Sequence, residues 1–371
     1  MVQPIWKTVR QSSLWMLTLA ALASFATPAV ATDLSECSTT AFTVVEVPAG
    51  TGTASDPYLI ATLGNLRWIS EGDAGSLDGK YLRQTADIDA SDTVNWNACA
   101  GYQPTDDYRG VYDGGGFTIS HLYINRPTED NVALFGEPQW GGSVYNLRVL
   151  DAEVTGRDNV GILYGWCNNR CWVERVYTTG TVTGDDKVGG VIGAYRPLYL
   201  ETKISFAGSD ADVVCTGEGC GGVVGSLAGG DIIEDAYFTG TVSGTGTKLG
   251  GIFGHNWNDN GVVTRAYSTG TITAQGSAQF GGVVGNTGAV NITSAYYLEG
   301  SATTTGNQSA IRPDLARTQS QLQTATTFAG WDINGASGWL QDPAVNNGYP
   351  YFAIEATIEV SPAAAPSGTG S

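Results

Sequence analysis

The chain has 371 residues, 36 of them acidic and 18 basic, for a formal charge of −18, and 51 are glycine. A surface of that sign repels nucleic acid and anionic lipid, which argues against both as partners. The length is enough for a sizeable buried core.

At the start, Lys7 and Arg10 precede an apolar run over residues 14–26, and Ala29-Val30-Ala31 supplies a small-residue cleavage site. This is the pattern of a signal peptide spanning 1–31, so export without a retained membrane span is expected, to the cell surface, the extracellular space or the periplasm. Glu36 stands where a lipoprotein signal ahead of Cys37 needs a small residue.

Residues 32–124 are expected to form a lead-in and an entry module. Leu63, Leu66 and Ile69 share one face of a short helix over 63–70. Short strands are expected near 80–86 and 117–124, with Asp113-Gly114-Gly115-Gly116 as the turn before the second.

From 125 to 300 the chain repeats at a period of roughly 28–32 residues, in the range of solenoids and arrays. Gly189-Gly190-Val191-Ile192-Gly193 recurs as Gly221-Gly222-Val223-Val224-Gly225, Gly250-Gly251-Ile252-Phe253-Gly254 and Gly281-Gly282-Val283-Val284-Gly285. Degenerate copies stand at 132–136 and 160–165. A second signature keeps step with it: Arg175-Val176-Tyr177-Thr178-Thr179-Gly180, Asp235-Ala236-Tyr237-Phe238-Thr239-Gly240 and Arg265-Ala266-Tyr267-Ser268-Thr269-Gly270. Val, Ile, Tyr and Thr separated by Gly, Asp and Asn turns predict short strands, and helical periodicity is absent. An all-β fold follows: a parallel β-helix-like solenoid, with the right-handed path usual for parallel connections. The apolar residues of each glycine unit are expected to alternate between interior and exterior, and the glycines to supply positive φ at the coil junctions. A C-terminal cap over 301–355, with a short helix at 317–326, and a disordered tail over 356–371 complete the chain.

Six cysteines follow the signal: Cys37, Cys99, Cys167, Cys171, Cys215 and Cys220. An even count in an exported chain points to disulfides. Cys167 with Cys171 and Cys215 with Cys220 can each staple one loop, which leaves Cys37 with Cys99, one of several connectivities that six cysteines allow. Zinc-ligand spacing is absent, and the histidines are His121 and His255 alone.

The glycine repeats resemble the GLUG motif, named for its Gly-Leu-Val-Gly-like core. Flanking segments extend the resemblance over about 51–352: Gly52-Thr53-Ala54-Ser55-Asp56-Pro57-Tyr58-Leu59-Ile60, Ala86-Asp87-Ile88-Asp89 and Tyr112-Asp113-Gly114-Gly115-Gly116-Phe117 before the repeats, and Phe328-Ala329-Gly330-Trp331-Asp332 and Asn347-Gly348-Tyr349-Pro350-Tyr351 after them. The resemblance implies a β-solenoid of exported bacterial proteins, among them adhesin-like surface proteins and non-catalytic regions of some immunoglobulin A proteases. It implies no catalytic residues, and this chain carries no His-Glu-x-x-His zinc motif.

Trp140, Trp166 with Trp172, Tyr195 with Tyr199, and Trp257 each follow the glycine core of their own repeat. Coils stacked in register at about 4.8 Å would set these rings in one row, matched to sugar rings, with Asn168, Asn169, Arg170, Arg196, Asn256, Asn258 and Asp259 offering hydrogen bonds. His255 in His255-Asn256-Trp257-Asn258-Asp259-Asn260 reads as part of a polar surface turn. Asp106-Asp107, Asp185-Asp186 and Asp231 with Asp235 read as turn residues. Calcium could bind there, yet they match neither the EF-hand nor the nine-residue calcium repeat, and no cofactor is expected. The reading is a non-catalytic, adhesin-like exported protein that binds glycan or an extracellular or surface protein partner along its coils. A polysaccharide-degrading β-helix enzyme, with Asp185, Asp186 and Lys187 as generic candidates, and a structural spacer are the alternatives.

Overall fold

The structure is a computed structural model. It describes residues 37–38, 43–71, 77–106, 108–138, 142–169, 171–196, 203–228, 232–257, 261–275, 279–286, 290–304, 311–335 and 338–354. The expected signal peptide and tail, Trp140 and Tyr199 lie outside these residues. All described residues belong to the unit Leu34–Ser371.

The repeats build a β-solenoid of stacked parallel coils. The long face is a 16-stranded sheet whose main ladder runs Tyr58–Ile60, Tyr81–Gln84, Val111–Asp113, Ser143–Thr155, Trp172–Gly184, Lys203–Cys215, Ile232–Phe238, Val262–Ser268, Asn291–Leu298 and Ala316–Arg317. Each full coil adds two short strands. Val160–Gly161, Val188–Gly189, Glu218–Gly221, Thr247–Gly250 and Phe280–Gly281 form a second face; Tyr164–Asn168, Ile192–Arg196, Val224–Leu227 and Phe253–Asn256 form a third. The segment read as an entry module supplies the first rungs of the same long ladder.

The long strands combine alternation with one built-in break. Val173 and Val176 are both fully buried, although residues three apart in a regular strand face opposite ways. Arg175 between them adopts φ +54°, a left-handed conformation that resets the phase. Asn146, Phe206, Asp235, Arg265 and Ser294 occupy the same place in their coils, all with φ near +50°. Inside, Leu147, Val176, Ala207, Ala236, Ala266 and Ala295 then stack as one column.

The glycine units form the corners between the two short faces, and both expectations about them need correction. The two apolar residues straddle the corner and both point inward: Val191, Ile192, Val223, Val224, Ile252 and Phe253 are all 0% exposed. No glycine of the four units has positive φ. Glycine is required there because the backbone leaves no room. A Cβ on Gly221 would lie 1.9 Å from the Val224 carbonyl oxygen, and one on Gly222 2.3 Å from the Gly251 carbonyl oxygen. The tight corner lets one carbonyl serve the preceding coil twice, as Val223 O accepts from Val191 N and Ile192 N, both at 3.0 Å.

The helix Leu63–Ser70 falls where the sequence places it. Thr62 caps its N-terminus, and it buries Leu66, Trp68 and Ile69 against the core. The chain pairs its cysteines as Cys37–Cys99, Cys167–Cys171 and Cys215–Cys220.

The segment expected as an end cap does two things. Ala302–Thr304 and Ala316–Arg317 pair in parallel with the preceding coil and cover the end of the long sheet. Residues 318–335 and 338–354 then turn back along the outside of the solenoid as a strap, through a short helix at Gln319–Leu322 and the antiparallel pair Trp339–Leu340 with Tyr351–Phe352. The strap buries Phe328, Trp331, Trp339, Tyr349 and Phe352 against a second hydrophobic cluster that includes Tyr237 and Tyr267 of the long face. It reaches as far as Ile354, whose carbonyl accepts from Arg148 Nη2 at 2.5 Å. Among the described residues no helix is long and apolar enough to cross a membrane.

Candidate binding groove

On the third face, Trp166, Ala194, Ser226 and His255 form one column in register, and Cys167, Tyr195, Leu227 and Asn256 form the next. Adjacent residues of a strand point to opposite sides. The second column therefore faces the core, where Cys167, Tyr195, Leu227 and Asn256 are all buried. The first faces out. Its two middle members are small, so Ala194 and Ser226 leave a depression between larger side chains. Trp166 and Trp257 border a groove of about 330 Å³ over this floor, with Asn159, Lys187 and Arg196 at its rim. Trp257 is 51% exposed.

The predicted aromatic row is thus not one row. Tyr195 registers with Cys167 rather than Trp166, so its ring enters the core and its hydroxyl donates to Cys171 O at 3.3 Å. Trp172 opens a strand of the long face between Ser143 and Lys203, with its ring 6.4 Å from that of Tyr145. The geometry brings Trp166 and Trp257 to one groove, whose lining also includes Tyr195, while Trp140 and Tyr199 lie outside the described residues. Of the proposed hydrogen-bonding residues, Arg196 lines the groove, Asn169 and Asn256 are buried, and Arg170, Asn258 and Asp259 lie outside the described residues.

The Trp257 end carries a polar cluster that the sequence reading did not assemble. Lys187 Nζ lies 5.6 Å from the Trp257 ring centre, within cation–π range. The His255 ring lies 4.7 Å from that of Trp257. Lys248 Nζ donates to His255 Nε2 at 2.8 Å, which leaves Nδ1 to carry the imidazole proton, 3.4 Å from Glu218 Oε1. Lys248 also pairs directly with Glu218. Burial raises the Glu218 carboxyl, but the Lys248 hydrogen bond and the charges of Lys248 and Lys187 outweigh it and hold the group below the usual carboxylate range. His255 is therefore a buried member of an ion-pair network rather than a surface turn residue.

A second left-handed column positions these groups. Asn131, Asn159, Lys187 and Lys248 have φ near +60°, and Gly219 completes the column at +85°. Its signal in the sequence is the residue just before the apolar-Gly pair of each unit, as in Asn159-Val160-Gly161, Lys187-Val188-Gly189 and Lys248-Leu249-Gly250.

Among the described residues no carboxylate lines the groove, whereas glycoside hydrolysis generally needs a facing pair. Asp185 accepts from Thr216 and Asp186 from the Glu218 amide, so both tie one coil's turn to the next. Among the described residues no group of three or more His, Cys, Asp or Glu could hold a metal. The Cys167–Cys171 bridge closes the loop beside Trp166. Replacing both cysteines by serine is expected to cost about 2 kcal/mol, the entropy of a short closed loop, measured by urea unfolding. Intrinsic Trp fluorescence should report greater solvent exposure of Trp166 in the same variant.

The class that the architecture defines is a disulfide-bonded β-solenoid with an aromatic-flanked groove on one face. No protein-family model matches the chain. Over 170 residues it is 40% identical to Halomucin of Haloquadratum walsbyi (strain DSM 16790 / HBSQ001), an alignment that covers 43% of this chain and 2% of Halomucin, so the chain spans a small fraction of that relative's length. A 1.30 Å crystal structure of a Bacteroides ovatus protein provisionally described as an immunoglobulin A1 protease superposes with a TM-score of 0.66, over 82% of this chain and 95% of that one, at 22% identity. That likeness is one of fold.

Proposed function

We propose that this chain is an exported, non-catalytic recognition protein of the GLUG-repeat type that binds glycan in the groove between Trp166 and Trp257. The observation that carries the reading is Trp257, half exposed above a floor of small residues and opposed by a second indole. Aromatic faces bordering a shallow trough suit the apolar faces of sugar rings. Three disulfides fit an oxidising compartment, and the likeness to Halomucin fits a role outside the cell. That no carboxylate pair lines the groove among the described residues favours binding over cleavage.

The test is a glycan-array screen of the chain from Thr32, with and without calcium, against a Trp257→Ala variant. Binding that falls about tenfold or more in the variant, with unchanged thermal unfolding, is expected. Cleavage of a bound glycan would replace this reading with an enzymatic one. Binding that the variant leaves intact would remove the groove from the function.

A further inference from the structure

We infer that the groove selects acidic oligosaccharides, two to three sugars long, that lie along the solenoid axis with a carboxylate or sulfate held by Lys187 and Arg196. This rests on the glycan reading above and narrows it to a ligand class.

Charge is the first argument. The chain has twice as many acids as bases, and most of its well-placed bases are neutralised locally: Arg157 by Asp130, Lys203 by Glu234, Lys248 by Glu218 and Arg265 by Asp235. Among the described residues the charged side chains that line the groove are Lys187 and Arg196, both basic, and neither forms an ion pair. Lys187 stands over the Trp257 ring, and Arg196 is exposed. Glu218, an acid next to this end, is occupied by Lys248 and His255, and the Lys187 charge reaches Glu218 and Asp130 without an ion pair to either. Two cations left open at an aromatic trough, on an otherwise acidic protein, complement an anion on the ligand. A neutral glycan would use them only as hydrogen-bond donors to hydroxyls. Contacts from an ionised group are also the stronger kind of hydrogen bond, and a guanidinium fork matches a carboxylate or sulfate.

Length is the second argument. From the Trp166 column position to that of His255 there are three coil steps, or roughly 14 Å at about 4.8 Å per step. The small residues Ala194 and Ser226 fill the two steps between. That clearance holds a short oligosaccharide laid across the coils, its end rings against the two indoles.

The experiment uses the chain from Thr32 and a panel of di- to tetrasaccharides in matched pairs. Each uronic-acid-bearing, sialylated or sulfated member is set beside its carboxyl-reduced or desulfated counterpart, with titration calorimetry on the hits. Acidic members are expected to bind at least tenfold tighter than their neutral partners. Lys187→Gln and Arg196→Gln, with folding checked by circular dichroism, should each weaken acidic members by clearly more than their neutral partners and so remove most of that preference. Ala194→Phe should block both kinds. If neutral members bind as well as acidic ones, the acidic-ligand inference fails and the glycan reading stands. If acidic members bind but both glutamine variants keep the preference, the inference also fails, because the charge is then read elsewhere. If no member of either kind binds, both readings fall.

Discussion

Ending the chain at residue 317 is expected to make the protein self-associate and unfold at markedly lower urea. The strap covers a ladder of tyrosines on the outside of the long face: Tyr177, Tyr237, Tyr267 and Tyr296 share one column, with Gly208 between the first two. A Cβ at Gly208 would sit 2.8 Å from the Tyr237 ring, so the missing side chain lets Tyr177 and Tyr237 stack across the gap at 6.0 Å. Tyr237 and Tyr267 stack at 5.6 Å, nearly parallel. Trp331 and Trp339, both 0% exposed, Phe328 and Phe352 close over them. Each such ring contributes about 1.5–3 kcal/mol on burial. Without the strap, the ladder becomes a contiguous apolar strip on an exposed sheet face, the kind of surface that drives association. Size-exclusion chromatography with light scattering reads this directly.

The phenols give a second readout. Burial raises the ionisation of Tyr237 and Tyr267 far above the ordinary value, and burial together with the nearby Asp210 pushes Tyr177 up to about 12. Burial disfavours the phenolate, so removing the strap should return these groups toward about 10. Phenolate absorbance followed against pH would show the change. Trp339→Ala tests the same contact in the full chain. It removes a buried ring and the bond from its Nε1 to Asp235 Oδ1, 2.7 Å long, and should cost about 3–5 kcal/mol. A truncated chain that stays the same size, with its tyrosines still resistant to titration, would mean the strap does not protect this face.

The coil itself was legible because its signals are local and repeated. The glycine units and the Tyr-x-Thr-Gly signature state their period, and the helix at 63–70 its conformation, within a few residues, although the glycines do not announce their corner geometry. The two close cysteine pairs are similarly local. The groove was half legible, and the reason is parity. Trp166, Tyr195 and Trp257 follow Gly165, Gly193 and Gly254 by one, two and three residues. In a strand that offset decides which face a ring takes: Trp166 faces outward and Tyr195 inward. Proximity to the glycine core was not enough. The short helix of the strap was legible, within 317–326, but its course back along the solenoid was not. Its partners are more than 80 residues away in sequence for the Tyr267–Pro350 contact and 206 for Arg148–Ile354, and nothing in the repeat marks its outward tyrosines as covered. The phase-resetting residues were hidden for another reason: Asn, Arg, Phe, Asp and Ser all occupy that left-handed position, so no residue type announces it.

Gly221→Ala is expected to be severely damaging for a single-methyl change, costing about 5 kcal/mol or preventing accumulation of folded protein. The added carbon would lie 1.9 Å from Val224 O and 2.8 Å from Phe253 Cα of the next coil. Both are backbone atoms, so no side chain can swing aside. Their positions are also set by the corner hydrogen bonds, in which Ile252 O accepts from Val223 N at 3.1 Å and from Val224 N at 2.9 Å. Moving one corner therefore displaces its neighbours, because each coil gains its stability from the coils on either side. Gly300→Ala is the control that separates space from conformation. Gly300 has φ +81° with nothing within 4 Å of its missing Cβ, so alanine there meets left-handed strain alone, about 1–2 kcal/mol. Urea unfolding of the two variants should differ by several kcal/mol. If they unfold alike, the corner glycines are retained for backbone freedom after all. If Gly221→Ala alone collapses the fold, the glycine units are a packing code, written where neighbouring coils come too close for any side chain.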